Sequence, residues 1–216
     1  MKMRRIFQNS NTQIGHGLLA TIILLLVTAS NAFAAGDVER GKAQSVTCAA
    51  CHGADGNSVN PEWPSLAGQH PKYLVNSLYG FKSGQRENVL MSAQADSLDD
   101  QAIEDLAAYF AGQQANKRTA DPALVAQGER LFRGGDLGKG ISACMACHGP
   151  TGRGNPGAGY PVLAGQHATY TANQLTAYRA GERQTDAEEN QVMRNIAALM
   201  NDKDIRAVAA YIQGLQ

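Results

Sequence analysis

Cys48-Ala49-Ala50-Cys51-His52 and Cys144-Met145-Ala146-Cys147-His148 are two copies of one five-residue word, C-x-x-C-H. This is the attachment signature of c-type haem: the cysteines form thioethers to the porphyrin vinyl groups and the histidine binds the iron. The four cysteines of the chain are all used by these two words. Other uses of C-x-x-C fit worse. A zinc site would have to join two pairs 96 residues apart and leave both histidines unexplained. A redox dithiol normally occurs once, beside a βαβ pattern, and none is visible. A structural disulfide also ignores the histidines. The reading is two covalent haem c groups, with Cys48, Cys51, Cys144 and Cys147 as thioether donors and His52 and His148 as iron ligands.

The chain begins with Lys2, Arg4 and Arg5, continues with an apolar run from Leu18 to Val27, and reaches Ala32-Phe33-Ala34. Basic region, short apolar core and small-x-small site make a secretory signal peptide, with cleavage expected after Ala34. An uncleaved anchor is the alternative, but the core is roughly half the length of a bilayer-spanning helix. Arg4-Arg5 superficially resembles a twin-arginine signal, which exports folded proteins. Haem attachment needs an unfolded chain with reduced cysteines, which favours the general secretory route. The expected destination is the bacterial periplasm.

An internal repeat sets the domain count. Leu66-Ala67-Gly68-Gln69-His70 returns as Leu163-Ala164-Gly165-Gln166-His167, an offset of 97 that Tyr73/Tyr170 and Gly84/Gly181 share. The end of each half matches at offset 102, Asp105–Tyr109 against Ala207–Tyr211, so the second half carries about five extra residues; Asp186–Asn190 reads as that insertion and as a solvated loop. The expected boundaries are 1–34 for the signal peptide, 35–116 for the first domain and 117–216 for the second, with the linker near Gln113–Asp121. The pattern in each half is helical. Ile103, Leu106, Ala107 and Phe110 lie on one helix face, as do Ile205, Val208, Ala209 and Ile212. Ser97 with Asp100 predicts the cap of the first of these helices. Pro71 suits the first turn of another helix, carrying Leu74, Leu78 and Phe81, and a short helix over 38–46 leads into the first haem word. Residues 53–70 and 149–167 read as loops, and no stretch shows strand alternation.

The sixth iron position separates a carrier from an enzyme. Methionine is a soft ligand that raises the potential. Beyond the signal peptide the candidates are Met91, Met145, Met193 and Met200. Met145 lies inside a haem word. At offset 102 Met91 falls on Met193, whereas Met200 falls on Leu98, an exchange typical of core packing. Met91 and Met193 are therefore the expected sixth ligands. His70 and His167 also recur as a pair, but they follow the proximal histidines by only 18 and 19 residues in a Gly-bounded loop; a propionate or backbone contact suits them better. Pro64 and Pro161 are placed to offer a carbonyl to the second nitrogen of each haem-word histidine.

Two C-x-x-C-H-G openings, two P-x-L-A-G-Q-H loops, the stretch Gly128–Gly135 and the ending Ala210–Leu215 closely resemble the dihaem cytochrome c4 family, across residues 36–216. The resemblance implies an all-α fold of two tandem class I cytochrome c domains related by a pseudo-twofold axis, with haem propionate edges near the interface. It also implies His–Met ligation of both irons, by His52 with Met91 and His148 with Met193, and electron shuttling in bacterial respiration towards haem-copper terminal oxidases. One departure is that the segment before Ser97 carries a single methionine, so no neighbour can replace Met91.

The formal charge of zero hides an asymmetry: residues 35–116 hold five Lys/Arg and ten Asp/Glu, residues 117–216 eleven and nine. Two ends of different charge steer different protein partners. No basic run with interleaved aromatics points to nucleic acid. The expectation is an electron carrier and not an enzyme, a monomer able to rest on a membrane surface, fed by a donor such as a quinol-oxidising complex. A dihaem peroxidase needs an openable iron, against which the paired methionines argue. A permanently docked electron-transfer subunit is the other alternative.

Overall fold

The computed structural model describes residues 35–216; the signal-peptide expectation, 1–34, lies outside the described residues. Ten helices occur among them. The first half holds α1 (Val38–Gln44), α2 (Val46–His52), α3 (Pro71–Lys82), α4 (Val89–Asp96) and α5 (Asp100–Ala111). The second holds α6 (Pro122–Gly134), α7 (Met145–His148), α8 (Ala168–Ala180), α9 (Val192–Ala198) and α10 (Asp202–Gly214). Strand pairing among the described residues is limited to three isolated bridges. The halves repeat one packing scheme. In the first, α5 packs on α1 and α3, and α3 on α4; in the second, α10 packs on α6 and α8, and α8 on α9.

The first and last helices of each half cross in close contact, and a glycine makes this possible. A Cβ on Gly41 would lie 2.0 Å from the Asp105 carbonyl oxygen, and one on Gly128 would lie 2.1 Å from that of Ala207. The apolar faces anticipated for α5 and α10 are indeed inside: Ile103, Leu106, Ala107 and Phe110, and their counterparts Ile205, Val208, Ala209 and Ile212, are all buried. Pro71 occupies the first turn of α3 as expected, and residues 114–121 form an extended linker without regular structure.

Three local expectations change. Ser97 does not cap α5; it closes α4, its hydroxyl donating to the Gln94 carbonyl, and Asp99 caps α5 by accepting from the Ala102 N–H. A carboxylate one residue before the helix complements the helix dipole better than a hydroxyl three residues away. The helix expected over 38–46 ends at Gln44, and a second one, α2, carries the haem word itself. The insertion 186–190 is a run of turns whose residues 187–190 are exposed as expected, but it has a fixed anchor: Asp186 is buried, and its carboxylate accepts from the Arg194 backbone N–H at 2.9 Å and from Arg194 Nε at 2.7 Å.

Candidate functional site

Both haem words lie at helix ends. Cys48, Cys51 and His52 are on α2; Cys147 and His148 are on α7, with Cys144 as its N-terminal cap. None of the four cysteines is joined to another in a disulfide. No group of three or more His, Cys, Asp or Glu among the described residues is arranged to hold a metal ion.

The two histidines are held alike. His52 Nδ1 lies 2.8 Å from the Pro64 carbonyl oxygen and His148 Nδ1 lies 3.2 Å from that of Pro161. Both rings are buried, and burial lowers their pKa and favours the neutral imidazole. In this tautomer Nδ1–H donates to the carbonyl and Nε2 keeps its lone pair, the state in which imidazole binds iron. The prolines marked by the repeat thus supply the carbonyls expected of them. Two cysteines separated by two residues, followed by a buried, oriented imidazole, fit covalent haem c at both places.

The remaining candidates separate by environment. Met91 lies in the first turn of α4, its N–H held by the Asn88 side chain at 2.9 Å, and Met193 lies in the first turn of α9. Both are half-buried. Met200 is buried in the core of the second half with Leu131, Leu175 and Ile205, and its counterpart Leu98 packs on the core of the first. His70 and His167 use their Nε2 atoms elsewhere, 2.8 Å from the Arg153 carbonyl oxygen and 2.9 Å from that of Ser58. These backbone contacts join the two halves and engage Nε2 of both histidines.

The word Leu-Ala-Gly-Gln-His is the joint between the halves. Gln69 accepts from Val162 N–H at 2.8 Å and donates to its carbonyl at 2.9 Å; Gln166 accepts from Ser65 N–H at 3.0 Å and donates to its carbonyl at 2.9 Å. Ser65 and Val162 are themselves one repeat apart. Such reciprocity is what a two-fold relation between the halves produces. Arg118 in the linker adds bonds to the Gly165 and Ser58 carbonyls and to Ser65 Oγ.

The family model for cytochrome c matches this chain twice, over residues 38–114 and 125–216. Cytochrome c4 of Pseudomonas aeruginosa is 48% identical over 92% of the chain and 98% of that protein. The chain belongs to the cytochrome c4 family. The crystal structure of reduced recombinant cytochrome c4 from Pseudomonas stutzeri superimposes with a TM-score of 0.81 at 48% identity, covering 84% of this chain and all of that one. A protein of Stutzerimonas stutzeri named thiosulfate dehydrogenase electron acceptor is 39% identical over 77% of the chain and 78% of that protein. Membership makes this protein a dihaem c-type electron carrier with redox-protein partners. It also agrees with the repeat: one cytochrome c unit per half, each with its own haem word, histidine and proline carbonyl.

Sequence reasoning passed over two sets of residues. Gly41 and Gly128 play the same part in each half but lie 87 residues apart, off the repeat's offsets of 97 and 102, so the repeat does not align them. Arg86 and Arg183 follow the matched Gly84 and Gly181 by two residues, at the same offset of 97.

Proposed function

We propose that His52 with Met91 and His148 with Met193 are the axial iron ligands, that Cys48, Cys51, Cys144 and Cys147 are the thioether donors, and that both ligand pairs stay in place through the redox cycle. The observation that carries this reading is that Nδ1 of His52 and of His148 is bonded to the carbonyl of Pro64 and of Pro161, in halves whose Met91 and Met193 occupy the same helix turn. Haem c supplies one-electron ferric–ferrous chemistry. The chain holds each imidazole in a fixed tautomer, presents a thioether from a helix of its own, and packs apolar side chains around both, which keeps reorganisation small.

The cellular setting is the periplasm, reached through a signal peptide cleaved after Ala34, with domains 35–116 and 117–216. Supporting this are the basic, apolar and small-residue order of the first 34 residues and the need of haem c for attachment outside the cytoplasm. No helix among the described residues is long and apolar enough to cross a membrane. The carrier is a monomer that works in a respiratory chain, taking electrons from a quinol-oxidising complex and passing them to a haem-copper oxidase, with contact to the membrane surface at most peripheral. A second reading, service to a sulfur-oxidising dehydrogenase, has one observation in its favour: the relative named thiosulfate dehydrogenase electron acceptor. Co-purification at low salt separates the two.

The test is the visible spectrum of the reduced protein with and without carbon monoxide. An unchanged spectrum is expected, because both irons are six-coordinate. Met91→Ala and Met193→Ala are each expected to open half of the haem to carbon monoxide and to lower one midpoint potential. Rapid binding in the unsubstituted protein would sink the ligand assignment and favour an enzyme.

A further inference from the structure

His70 and His167 stand at the starts of α3 and α8, where each is the N-terminal cap residue. Their backbone N–H groups donate to the side chains of the preceding Gln69 and Gln166, at 2.9 and 3.0 Å. From these fixed mounts each ring reaches across the joint. His70 Nε2 lies 2.8 Å from the Arg153 carbonyl oxygen and His167 Nε2 2.9 Å from that of Ser58. A carbonyl only accepts, so both rings donate through Nε2–H. Burial, aided by the charge of Arg118 with its Nη2 3.1 Å from Nε2, lowers the His167 pKa and favours the neutral ring.

The two carbonyls belong to the loops that orient the iron-binding imidazoles. In the second half the Arg153 C=O and the Gly154 N–H are one peptide unit, and this N–H donates to the His148 carbonyl at 2.8 Å. Gly154 also lies against Pro161: a Cβ on it would be 2.4 Å from the Pro161 carbonyl oxygen, the acceptor for His148 Nδ1. Asn155 and Tyr160 close the turn between them with reciprocal backbone bonds of 3.0 and 2.9 Å. In the first half Ser58 N–H donates to Ser65 Oγ at 3.2 Å, next to Pro64, whose carbonyl accepts from His52 Nδ1. Ser58 Oγ lies 2.9 Å from the Asn60 carbonyl oxygen and 3.2 Å from that of Cys51, inside the haem word. Each path from a histidine of one half to the haem-word histidine of the other thus runs through one short, internally bonded loop. The joint is held in this arrangement by Arg86 and Arg183, whose backbones pair as an antiparallel bridge and whose side chains bond Tyr170 and Tyr73 of the opposite half.

We propose that His70 and His167 are crossed positioning residues: His70 steadies the loop that orients the His148 imidazole, and His167 steadies the loop that orients that of His52. This rests on the ligand assignment proposed above. The Nδ1–H bond to a carbonyl makes imidazole a more basic iron ligand, and a more basic ligand favours ferric iron. Loosening a loop weakens that bond and moves the equilibrium towards ferrous iron. The effect is crossed, because the brace on each imidazole comes from the opposite half. It is also unequal. The Ser58 carbonyl has a second donor, Arg118 Nη2 at 3.1 Å, whereas the Arg153 carbonyl has His70 alone among the described residues.

The test is a spectroelectrochemical titration of the holoprotein, with the haem signals in the proton NMR spectrum assigned to each half through its own thioether cysteines. His70→Leu is expected to raise the midpoint of the second half's haem, favouring its reduction about two- to fivefold, the scale of one hydrogen bond. The first half's haem is expected to stay where it is. His167→Leu is expected to shift the first half's haem in the same direction, by less. His70→Gln, whose amide donates from near the position of Nε2, is expected to restore the parent midpoint. A shift confined to the substituted half, or equal shifts at both haems, would overturn the proposal. So would two unmoved midpoints with a lowered melting temperature, which would leave the histidines as contacts of the joint alone. His70 is only half-buried, so the test does not depend on a substitution at the buried His167. Carbon monoxide binding by the unsubstituted protein reports on Met91 and Met193 and not on the crossed shift, so failure of that assignment is distinguishable from failure of the bracing.

Discussion

Asp105 has no exposed surface, and its carboxylate is stable there only because every oxygen is used. Arg40 Nε and Nη2 donate to it at 2.7 and 3.0 Å, the Asp37 N–H at 2.7 Å and Gln101 Nε2 at 2.9 Å. The Arg40 bond, with those from Asp37 and Gln101, holds its pKa well below the usual carboxylate range. A depressed pKa contributes stability above the unfolded value, near 3.9 for aspartate, and that stability is lost as pH falls through the folded value. Asp105→Asn is therefore expected to melt several degrees lower at neutral pH. The gap should close below about pH 4, where the unsubstituted protein begins to lose the same contribution. A gap of constant size down to pH 2 would show that the carboxylate charge is not what stabilises the site.

At the scale of elements, α1 crosses α5 and α6 crosses α10 in close contact. A methyl group at Gly128 would meet the Ala207 carbonyl oxygen at 2.1 Å and Tyr211 Cβ at 2.6 Å. Neither atom is the end of a flexible side chain, so the helices must part. Gly128→Ala is expected to cost about 2–3 kcal/mol by overpacking, a fall in melting temperature of roughly 4–10 °C. A variant as stable as the parent would mean that the helices slide apart freely. The sequence makes the long helices legible, because α5 and α10 repeat buried residues at helical spacing over three turns. The short α4 and α9, which carry Met91 and Met193, escape notice: seven or eight residues give too few turns for periodicity to register, and they form against the rest of each half. Ser97 misleads because serine caps helices well in isolation, and the choice of Asp99 depends on where α4 ends. The haem words, the proline carbonyls and the matched methionines are legible because each appears twice. The pairing of Arg86 with Arg183 is not, since it exists only once the halves face each other.

In the whole molecule the two halves act as one body because the joint is built from reciprocal backbone bonds. Gln69 and Gln166 each exchange two hydrogen bonds with a backbone amide of the other half, and the linker residue Arg118 fastens the same region. The joint fixes the geometry between an acidic first half and a weakly basic second half. Replacing Gln69 and Gln166 together by alanine removes the four hydrogen bonds across the joint, worth about 1 kcal/mol each, and the two that the glutamines accept from the His70 and His167 N–H groups. It leaves the haem words, the cores and the linker untouched. The double variant Q69A/Q166A is thus expected to keep both haem spectra but to unfold calorimetrically in two transitions, where the parent unfolds in one. Retention of a single transition, merely shifted to lower temperature, would place the coupling of the halves in the contacts that remain, those of Arg86 and Arg183 with Tyr170 and Tyr73, of His70 and His167 with the Arg153 and Ser58 carbonyls, and of Arg118.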